Sequence, residues 1–176
     1  MKTIRQHDRN DCGAACLAGI AAHYGKPITV AHVRLLSGTV SSGTTLADLR
    51  HAALRLGFQA AAVNGDRAGL SHAVLPAIVH LDHPDTGAHF VVATRIGRRK
   101  ATILDPADGR RHRWPLEAFS AYWSGAALLL LPGPGFFAER TGPASPWQRI
   151  VRLLLPYRRQ FAKAFALAVM ATVLAM

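Results

Sequence analysis

The sequence contains three residues whose side chain types can act together in thiol chemistry. They are, in chain order, Cys12, His89 and Asp105. Cys12 is followed by Gly-Ala-Ala and an apolar run, which places it at or near the start of a helix. Unpaired N–H groups and the dipole at a helix N-terminus lower the pKa of a thiol and favour the nucleophilic thiolate. Cys16 lies one helical turn further on among apolar residues, and we interpret it as a small core residue.

His89 is the candidate base among the nine histidines. It opens the strand-like segment His-Phe-Val-Val-Ala, where a polar ring needs a partner, and Asp105 ends the next strand-like segment. A hairpin over residues 97–100 would bring the two segments side by side, although the sequence does not fix their register. A thiolate that attacks, an imidazole that transfers protons and a carboxylate that sets the ring tautomer form the machinery of a papain-like thiol protease. Taken alone, such a trio also occurs by chance in many proteins.

The elements that must position these residues are helical first and strand-like afterwards. Apolar spacing, capping residues and glycine stops predict helices over residues 12–24, 29–36 and 45–56, the last with a capping box formed by Thr45 and Asp48. Short segments rich in β-branched and aromatic residues predict strands over 58–63, 77–81, 89–96, 101–104 and 126–131. One further short helix is predicted over 115–124. The fold class is therefore α+β, with N-terminal helices packed on an antiparallel sheet.

The remaining cysteine, histidine, glycine and basic clusters give weaker indications of function. Cys12 and Cys16 together with His80, His83 and His89 match no common zinc spacing, so we predict no metal. No glycine-rich loop followed by Lys and Ser or Thr is present, so this chain itself is predicted to bind no ATP. We interpret the basic runs at 98–100 and 110–113 as solvated charges at strand ends. The alternative is a basic rim that attracts an acidic peptide.

Length and composition limit the class of protein. The 176 residues suffice for one domain and an appendage, and the 50% hydrophobic content predicts a packed core. Two cysteines exclude a disulfide-stapled scaffold. The net charge of +11 is uneven, since residues 140–176 hold six basic residues and no acidic one. That distribution argues against nucleic-acid binding. The polar N-terminus has no signal-peptide stretch, so we expect the domain in the cytosol.

The C-terminal part of the sequence differs in composition from the residues before it. A stretch rich in Pro and Gly follows Leu131, and we place the end of the domain at residue 137 and a linker at 138–146. Residues 147–163 form a basic amphipathic juxtamembrane segment, with Trp147 and Tyr157 as interfacial anchors. Residues 164–176 are uncharged but shorter than the roughly 20 residues of a spanning helix, and they predict the incomplete start of a first transmembrane helix. The alternative is an amphipathic helix that packs on the domain.

The segment Gln6-His-Asp-Arg-Asn-Asp-Cys12-Gly-Ala-Ala-Cys16-Leu-Ala resembles the signature of the bacteriocin-processing cysteine peptidases. These peptidases form the N-terminal domain of peptidase-containing ABC transporters and cut leader peptides after a double glycine. The resemblance covers about residues 4–137. It continues in His-Tyr-Gly at 23–25, Leu-Leu-Ser-Gly at 35–38, Gly-Thr-Thr-Leu at 43–46, Leu-Gly-Phe at 56–58, Pro-Ala-Ile at 76–78, His-Phe-Val-Val at 89–92, Asp-Pro-Ala-x-Gly at 105–109 and Trp-Ser-Gly-Ala at 123–126.

The resemblance implies a papain-like fold and a role for each site residue. Cys12 would be the nucleophile, His89 the general base and Asp105 the group that orients it. Gln6 would donate to the oxyanion, with the Cys12 backbone N–H as second donor. The implied partners are a precursor peptide with a double-glycine leader, the membrane through the C-terminal segment, and a second copy in a homodimeric transporter.

The same resemblance implies no cofactor for proteolysis. ATP and Mg would serve only the transporter parts that are absent from this chain. The implied location is the cytoplasmic face of the bacterial inner membrane. Two other functions stay open on the residues alone: a docking domain that binds a leader peptide of an ABC exporter without cutting it, and a papain-like fold used for acyl transfer or isopeptide cleavage.

Overall fold

The computed structural model describes residue 1 and residues 3–39, 43–66, 69, 72–84 and 87–137. All of them belong to one compact unit, Met1–Gly142. The predicted linker, juxtamembrane segment and start of a transmembrane helix (138–146, 147–163 and 164–176) lie outside the described residues, so these three remain predictions. No helix in the described part of the chain combines the length and the hydrophobicity that a membrane span requires.

The described chain runs from helices into a sheet, as predicted. A 3-10 helix, Arg9–Asp11, leads directly into α1 (Cys12–His23), α2 (Val30–Ser37) and α3 (Leu46–Arg55). The strands are β1 (Phe58–Asn64), β2 (Ala77–His83), β3 (Gly87–Ile96), β4 (Lys100–Asp105), β5 (Arg110–Pro115) and β6 (Trp123–Pro132), and a short helix α4 (Leu116–Tyr122) precedes β6. All pairings in the sheet are antiparallel, in the order β1-β6-β2-β3-β4-β5.

Local signals in the sequence set the ends of α2 and α3. The Thr29 side chain caps α2 by accepting from the His32 N–H, and Gly38 ends that helix with a left-handed φ of 64°. Thr45 and Asp48 form the predicted capping box at the start of α3, in which each side chain bonds the other residue's backbone N–H. These contacts satisfy helix-end groups that would otherwise lack partners.

Side chains alternate between the two faces of the sheet along each strand, so each face presents its own set of apolar residues. Both faces are covered by helices. One face packs against α1, α2 and α3 through a core that includes Ile78, Val92, Leu104 and Leu128. The other face carries a smaller core beneath α4, built from Leu116 and Phe119 against neighbouring strand residues: Val79, Leu81, Val91, Ala93, Ala101, Ile103 and Ala127. Helix α1 lies against β3 in the larger core, so its N-terminal Cys12 comes to the end of β3 where His89 lies.

The interpretation of residues 110–113 as charges at a strand end is wrong, because Arg110–Pro115 forms strand β5. Four of its six residues are Arg or His, which conceals the strand pattern that hydrophobic alternation normally gives. β5 pairs with β4 and occupies the edge of the sheet, where charged side chains protect a free backbone edge from pairing with other chains.

The chain beyond β6 returns to the main core at Phe136. This side chain is fully buried and its ring lies 4.3 Å from that of Phe58. The approach depends on Gly57, whose φ is +90°, because a Cβ at that position would lie 2.7 Å from the Phe136 backbone. Residues 133–136 are therefore part of the folded domain, although their Pro- and Gly-rich composition alone is typical of a linker.

Candidate active site

Cys12 is the first residue of α1, as predicted, and a buried carboxylate holds the preceding turn. Asp11 is 1% exposed, and its Oδ1 lies 2.9 Å from Arg34 Nη1 of α2 as an ion pair without hydrogen-bond geometry. Its Oδ2 accepts from the Asp8 N–H, while the Asp8 side chain caps the 3-10 helix. The Asp11–Arg34 ion pair and the Asp8 cap therefore hold the turn of backbone that leads into Cys12 and α1.

Gly13 allows this helix end to approach the sheet. A Cβ at residue 13 would lie 2.8 Å from Leu49 Cδ1 of α3 and 3.2 Å from Phe90 Cδ2 of β3. A side chain at residue 13 would therefore force the Leu49 side chain to shift, and glycine lets the first turn of α1 lie close to α3 and β3 without that shift. This close approach puts Cys12 beside His89 and the backbone of Phe90.

His89 and Asp105 meet across the β3–β4 hairpin. The register pairs Val92 with Leu104, and beyond it His89 Nε2 lies 2.8 Å from Asp105 Oδ1. The same carboxylate oxygen accepts from the Ala107 N–H at 2.8 Å, which holds it in place. Because Nε2 donates to Asp105, Nδ1 is the nitrogen that remains for the hydrogen bond between the ring and the Cys12 thiol.

This chain of contacts changes all three pKa values. Burial opposes ionisation of His89, but hydrogen bonds to Asp105 and Cys12 outweigh it and raise the pKa of His89 to about 9. Burial raises the pKa of Cys12, but its contacts with His89 and with backbone at Phe90 and Gly13 prevail and lower it below 9.0. The pKa of Asp105 is also lowered, since hydrogen bonds from His89 and Ala107 outweigh its burial. The arrangement favours a thiolate beside an imidazolium.

Cys16 is the inert thiol of the pair, as predicted. It is 2% exposed, and its Sγ lies 3.4 Å from the Phe90 carbonyl oxygen, to which it donates. Burial raises its pKa well above 9.0, and the nearby Cys12 and Asp105 add to that effect. A neutral thiol with a carbonyl partner is a core residue and not a nucleophile.

Gln6 lies on the Asp105 side of the site. Its backbone N–H donates to the Pro106 carbonyl at 2.9 Å, directly after Asp105. Its side-chain Oε1 is buried, and none of the described residues donates a hydrogen bond to it. The structure therefore brings all four predicted site residues to one region, while the contact between Gln6 and a reacting oxygen stays a prediction.

A groove of about 410 Å³ opens beside the thiol, and we call it the Cys12 groove. Its volume lies within the usual range for ligand sites. Small or apolar residues form much of its wall, while His80 adds a ring that packs edge-on at 5.0 Å from Phe90. The residues lining it are Arg9, Asn10, Cys12, Gly43, Thr44, Thr45, Leu46, His80, Ala88, Phe90 and Ala126.

One cluster of metal-ligating residue types occurs within the described residues. Asp105, Asp108 and His112 place ligand atoms within 4.8 Å of one another. These side chains already have partners, since Asp105 binds His89 and Asp108 pairs with His112 at 2.8 Å. We assign no metal to them.

Sequence reasoning missed the parts of the site that depend on distant contacts. The Asp11–Arg34 pair joins α1 to α2, and the Cys12 groove combines residues from five separate segments. The Gly after Cys12 was a usable signal, because glycine has no Cβ and permits a close approach of the backbone to a neighbouring element. Nothing in the residues alone indicates that His80 faces the groove.

Solved structures with the same fold include peptidase domains of peptide transporters. The peptidase domain of Streptococcus ComA, described as a bifunctional ABC transporter involved in quorum sensing, is 33% identical with a TM-score of 0.69 over 74% of this chain and 98% of that domain. A double glycine motif protease from an AMS/PCAT transporter, solved in complex with the leader peptide, is 30% identical with a TM-score of 0.68 over 74% of this chain and 90% of the other. The predicted papain-like α+β class is confirmed.

Relatives in sequence include much longer transporters. The probable microcin-H47 secretion/processing ATP-binding protein MchF of Escherichia coli is 32% identical over 94% of this chain and 23% of its own length. The lactococcin-G-processing and transport ATP-binding protein LagD of Lactococcus lactis is 37% identical over 76% of this chain and 19% of its own length. The chain thus spans about a fifth of these relatives.

The family match covers the part of the chain that carries the site. Residues 1–135 match the Peptidase C39 family, and this range contains Gln6, Cys12, His89 and Asp105. The resemblance stated from the N-terminal motif is therefore confirmed, as is the enzyme class it implies, a cysteine peptidase. The chain belongs to the Peptidase C39 family.

Proposed function

We propose that this domain is a cysteine endopeptidase that removes the leader from a bacteriocin-like precursor by cutting after a double glycine. The observation that carries the proposal is the continuous chain of hydrogen bonds from the Cys12 thiol through the His89 ring to the Asp105 carboxylate. A thiol with a lowered pKa, at a helix N-terminus and in contact with a base, is the arrangement that nucleophilic catalysis requires.

Each residue has a distinct role in the proposed reaction. The Cys12 thiolate attacks the carbonyl carbon of the second glycine, and the negative oxygen that forms accepts from the Gln6 amide and the Cys12 backbone N–H. His89 donates its proton to the departing amine, which leaves an acyl-enzyme. His89 then takes a proton from water, and the oxygen of that water attacks the acyl carbon. The carbon–sulfur bond breaks, which releases the leader with a free carboxyl group and restores the Cys12 thiolate beside the His89 imidazolium. Asp105 holds the ring so that Nδ1 faces Cys12.

The Cys12 groove supports a substrate with small residues before the cut. Leu46 and Phe90 line the groove together with Cys12 and pack into the main core, and glycine is the residue that lets a backbone approach a wall most closely. Larger side chains at the two positions before the cut would have to displace these core-anchored side chains. This steric limit accounts for a requirement for Gly-Gly in the proposed substrate.

The relatives' names extend the proposal beyond this domain. Both are described as processing and secretion or transport proteins with ATP binding. We infer that the domain works on the cytoplasmic face of the bacterial inner membrane as part of a homodimeric exporter. ATP and Mg would serve the transporter's own domains, proteolysis would need no cofactor, and no nucleic acid would be bound. The C-terminal segment would connect the peptidase to the membrane.

A comparison of two substrates tests the specificity of the proposed function. A precursor with a full leader ending in Gly-Gly and a five-residue peptide containing Gly-Gly should differ in kcat/KM by at least about 100-fold in favour of the precursor. The reason is that a helical leader adds binding contacts on the domain surface that the short peptide lacks. Steady-state kinetics of the 176-residue chain measure the ratio. Equal kcat/KM values would rule out recognition of the leader.

The pH dependence of the reaction follows from the two shifted pKa values. The active form holds the Cys12 thiolate and the His89 imidazolium together. Activity is lost at acid pH when the thiolate gains a proton, and it is lost at alkaline pH when His89, with a pKa of about 9, releases its proton. We expect kcat/KM measured from about pH 5 to 10 to form a bell whose alkaline limb centres near pH 9. A rate that continues to rise above this pH would contradict the assignment.

A further inference from the structure

A second concave surface lies away from Cys12, with a volume of about 780 Å³. We call it the basic cleft, because five cationic side chains line it and none of the described lining residues is acidic. Met1, Leu75 and Pro76 supply an apolar part of the wall, and Thr94 and Thr102 supply hydroxyl groups. The five cationic residues are Arg95, Arg99, Lys100, Arg111 and Arg113.

The sheet register explains why these charges converge. Thr102 on β4 pairs with Arg95 on β3 and with Arg113 on β5, so two arginines flank one threonine in a row across three strands. The register shifts between Ala93 and Arg95, and both Thr94 and Arg95 line the cleft at this irregularity. Two basic runs that are 10 residues apart in sequence therefore form a single surface.

Most of these charges have no partner within the domain as described. Arg95, Arg99, Lys100 and Arg113 form no side-chain hydrogen bond or ion pair with any other described residue, and Arg111 donates only to the Met1 carbonyl at 3.5 Å. Like charges gathered on one concave surface repel one another and create a positive potential. A ligand with several negative charges relieves that repulsion.

The basic cleft and the Cys12 groove lie at opposite ends of α1. Cys12 begins this helix and lines the groove, while His23 ends it and lines the cleft. A helix of 12 residues at 1.5 Å per residue places the two ends about 17 Å apart. Thr102 and Leu104 alternate onto the face of β4 that packs against α1, so the cleft opens on the helical side of the sheet, as does the groove.

We propose that the basic cleft binds an acidic segment of the precursor peptide that the Cys12 groove cuts. The inference rests on the proposed function, because a peptide chain is the ligand that can reach both surfaces at once. A leader in α-helical form covers 17 Å in about 12 residues, which places its acidic residues about 12 positions before the cut. The arginine fork suits carboxylates, which it can bind through two parallel hydrogen bonds.

The concave shape favours a peptide segment over a lipid surface. A membrane presents a flat array of headgroups, whereas the cleft surrounds its occupant on β3, β4 and β5 and adds an apolar wall at Leu75 and Pro76. Charge complementarity at such a rim acts on association rate and on the choice between substrates. The cleft would therefore select precursors by charge, separately from the glycine requirement at the cut.

Two precursor peptides and two double variants of the 176-residue chain test the proposal. The peptides are identical except that one carries three Glu residues about 12 positions before the Gly-Gly and the other carries Gln there. The unmodified chain should cut the Glu peptide with a kcat/KM about tenfold higher at low salt. The ratio should approach one at about 1 M NaCl, where the screening length is about 3 Å.

The variant Arg95→Gln/Arg113→Gln should cut both peptides at the rate that the unmodified chain gives for the Gln peptide. Arg95 and Arg113 were chosen because neither has a partner among the described residues, so their loss leaves the fold intact. The charge-matched control Arg55→Gln/Arg98→Gln changes two exposed arginines outside the cleft, and it should keep the tenfold preference. A preference that survives in the cleft variant, or that disappears equally in the control, overturns the proposal.

A measurement of peptide binding tests the basic cleft independently of the proposed proteolysis. If neither peptide is cut, the proposed function fails, and fluorescence anisotropy with the same peptides then decides on the cleft alone. Tighter binding of the Glu peptide that is lost in Arg95→Gln/Arg113→Gln supports the cleft assignment. Equal binding of the two peptides overturns it. Binding of phosphatidylserine vesicles or inorganic polyphosphate that needs Arg95 and Arg113, without a preference for the Glu peptide, also overturns it in favour of phosphate groups.

Discussion

Replacing Cys12 with alanine is expected to lower kcat/KM for a double-glycine precursor by more than about 10⁴-fold. Cys12 is the one thiol among the described residues that line the groove, and the hydroxyls of Thr44 and Thr45 already bond Thr39 and Asp48 instead of a base. The Kd for the precursor should stay within a few-fold of the unmodified value, because the removed sulfur contributes little of the groove surface. Single-turnover kinetics and fluorescence anisotropy measure the two quantities separately.

The second thiol of the chain offers the matched control. Cys16→Ala removes a buried sulfur whose neighbour is a backbone carbonyl, so the variant should cut the precursor at nearly the original rate. Loss of cutting in both variants would indicate damage to α1 instead of loss of a nucleophile. Full activity in Cys12→Ala would remove Cys12 from the mechanism altogether.

Replacing His89 with glutamine is expected to lower kcat/KM by about 10³-fold, the usual size of a lost general acid and base. It should also slow alkylation of Cys12 by iodoacetamide at neutral pH by at least about tenfold, because the hydrogen bond and the charge of His89, together with backbone contacts at Phe90 and Gly13, lower the pKa of this thiol against its burial. The pH at which alkylation reaches half its maximum should move upward. Mass spectrometry of the alkylated chain follows the reaction at Cys12.

His32→Gln serves as the control for this variant, since His32 is an exposed residue on α2 that lines neither the Cys12 groove nor the basic cleft. Its alkylation rate and its kcat/KM should match those of the unmodified chain. An unchanged alkylation rate in His89→Gln would mean that the helix N-terminus alone activates the thiol. The proposed thiolate–imidazolium pair would then be incorrect.

Much of the fold is encoded in contacts between residues close in sequence, and those parts were predictable. Thr29, Gly38 and the Thr45–Asp48 box act within one helical turn, so the limits of α2 and α3 can be read from residue types. The strands that alternate or run apolar were likewise predictable, to within a few residues at each end. The parts that depend on distant partners were not. β5 forms because β4 offers it a hydrogen-bonding edge, and its own residues, mostly Arg and His, give no hydrophobic signal.

The site shows the same division between local and distant information. The position of Cys12 at a helix start and the order of Cys12, His89 and Asp105 were predictable from the residues, and the family motif pointed to the same set. The distance between His89 and Asp105 depends on the register of the β3–β4 hairpin, which sequence alone does not set. The Asp11–Arg34 pair and the convergence of Arg95 and Arg113 need the folded chain, because each joins residues from different elements.

The central claim is that Cys12 cuts a precursor directly after two glycines, and mapping the cut tests it most directly. The 176-residue chain under reducing conditions is mixed with a synthetic leader that ends in Gly-Gly and continues into several core residues, and the products are weighed by mass spectrometry. We predict two fragments separated after the second glycine, and an intact peptide when Cys12→Ala is used instead. A peptide that stays intact but binds would make the domain a docking module, and a cut elsewhere, or one that persists in Cys12→Ala, would contradict the proposed mechanism.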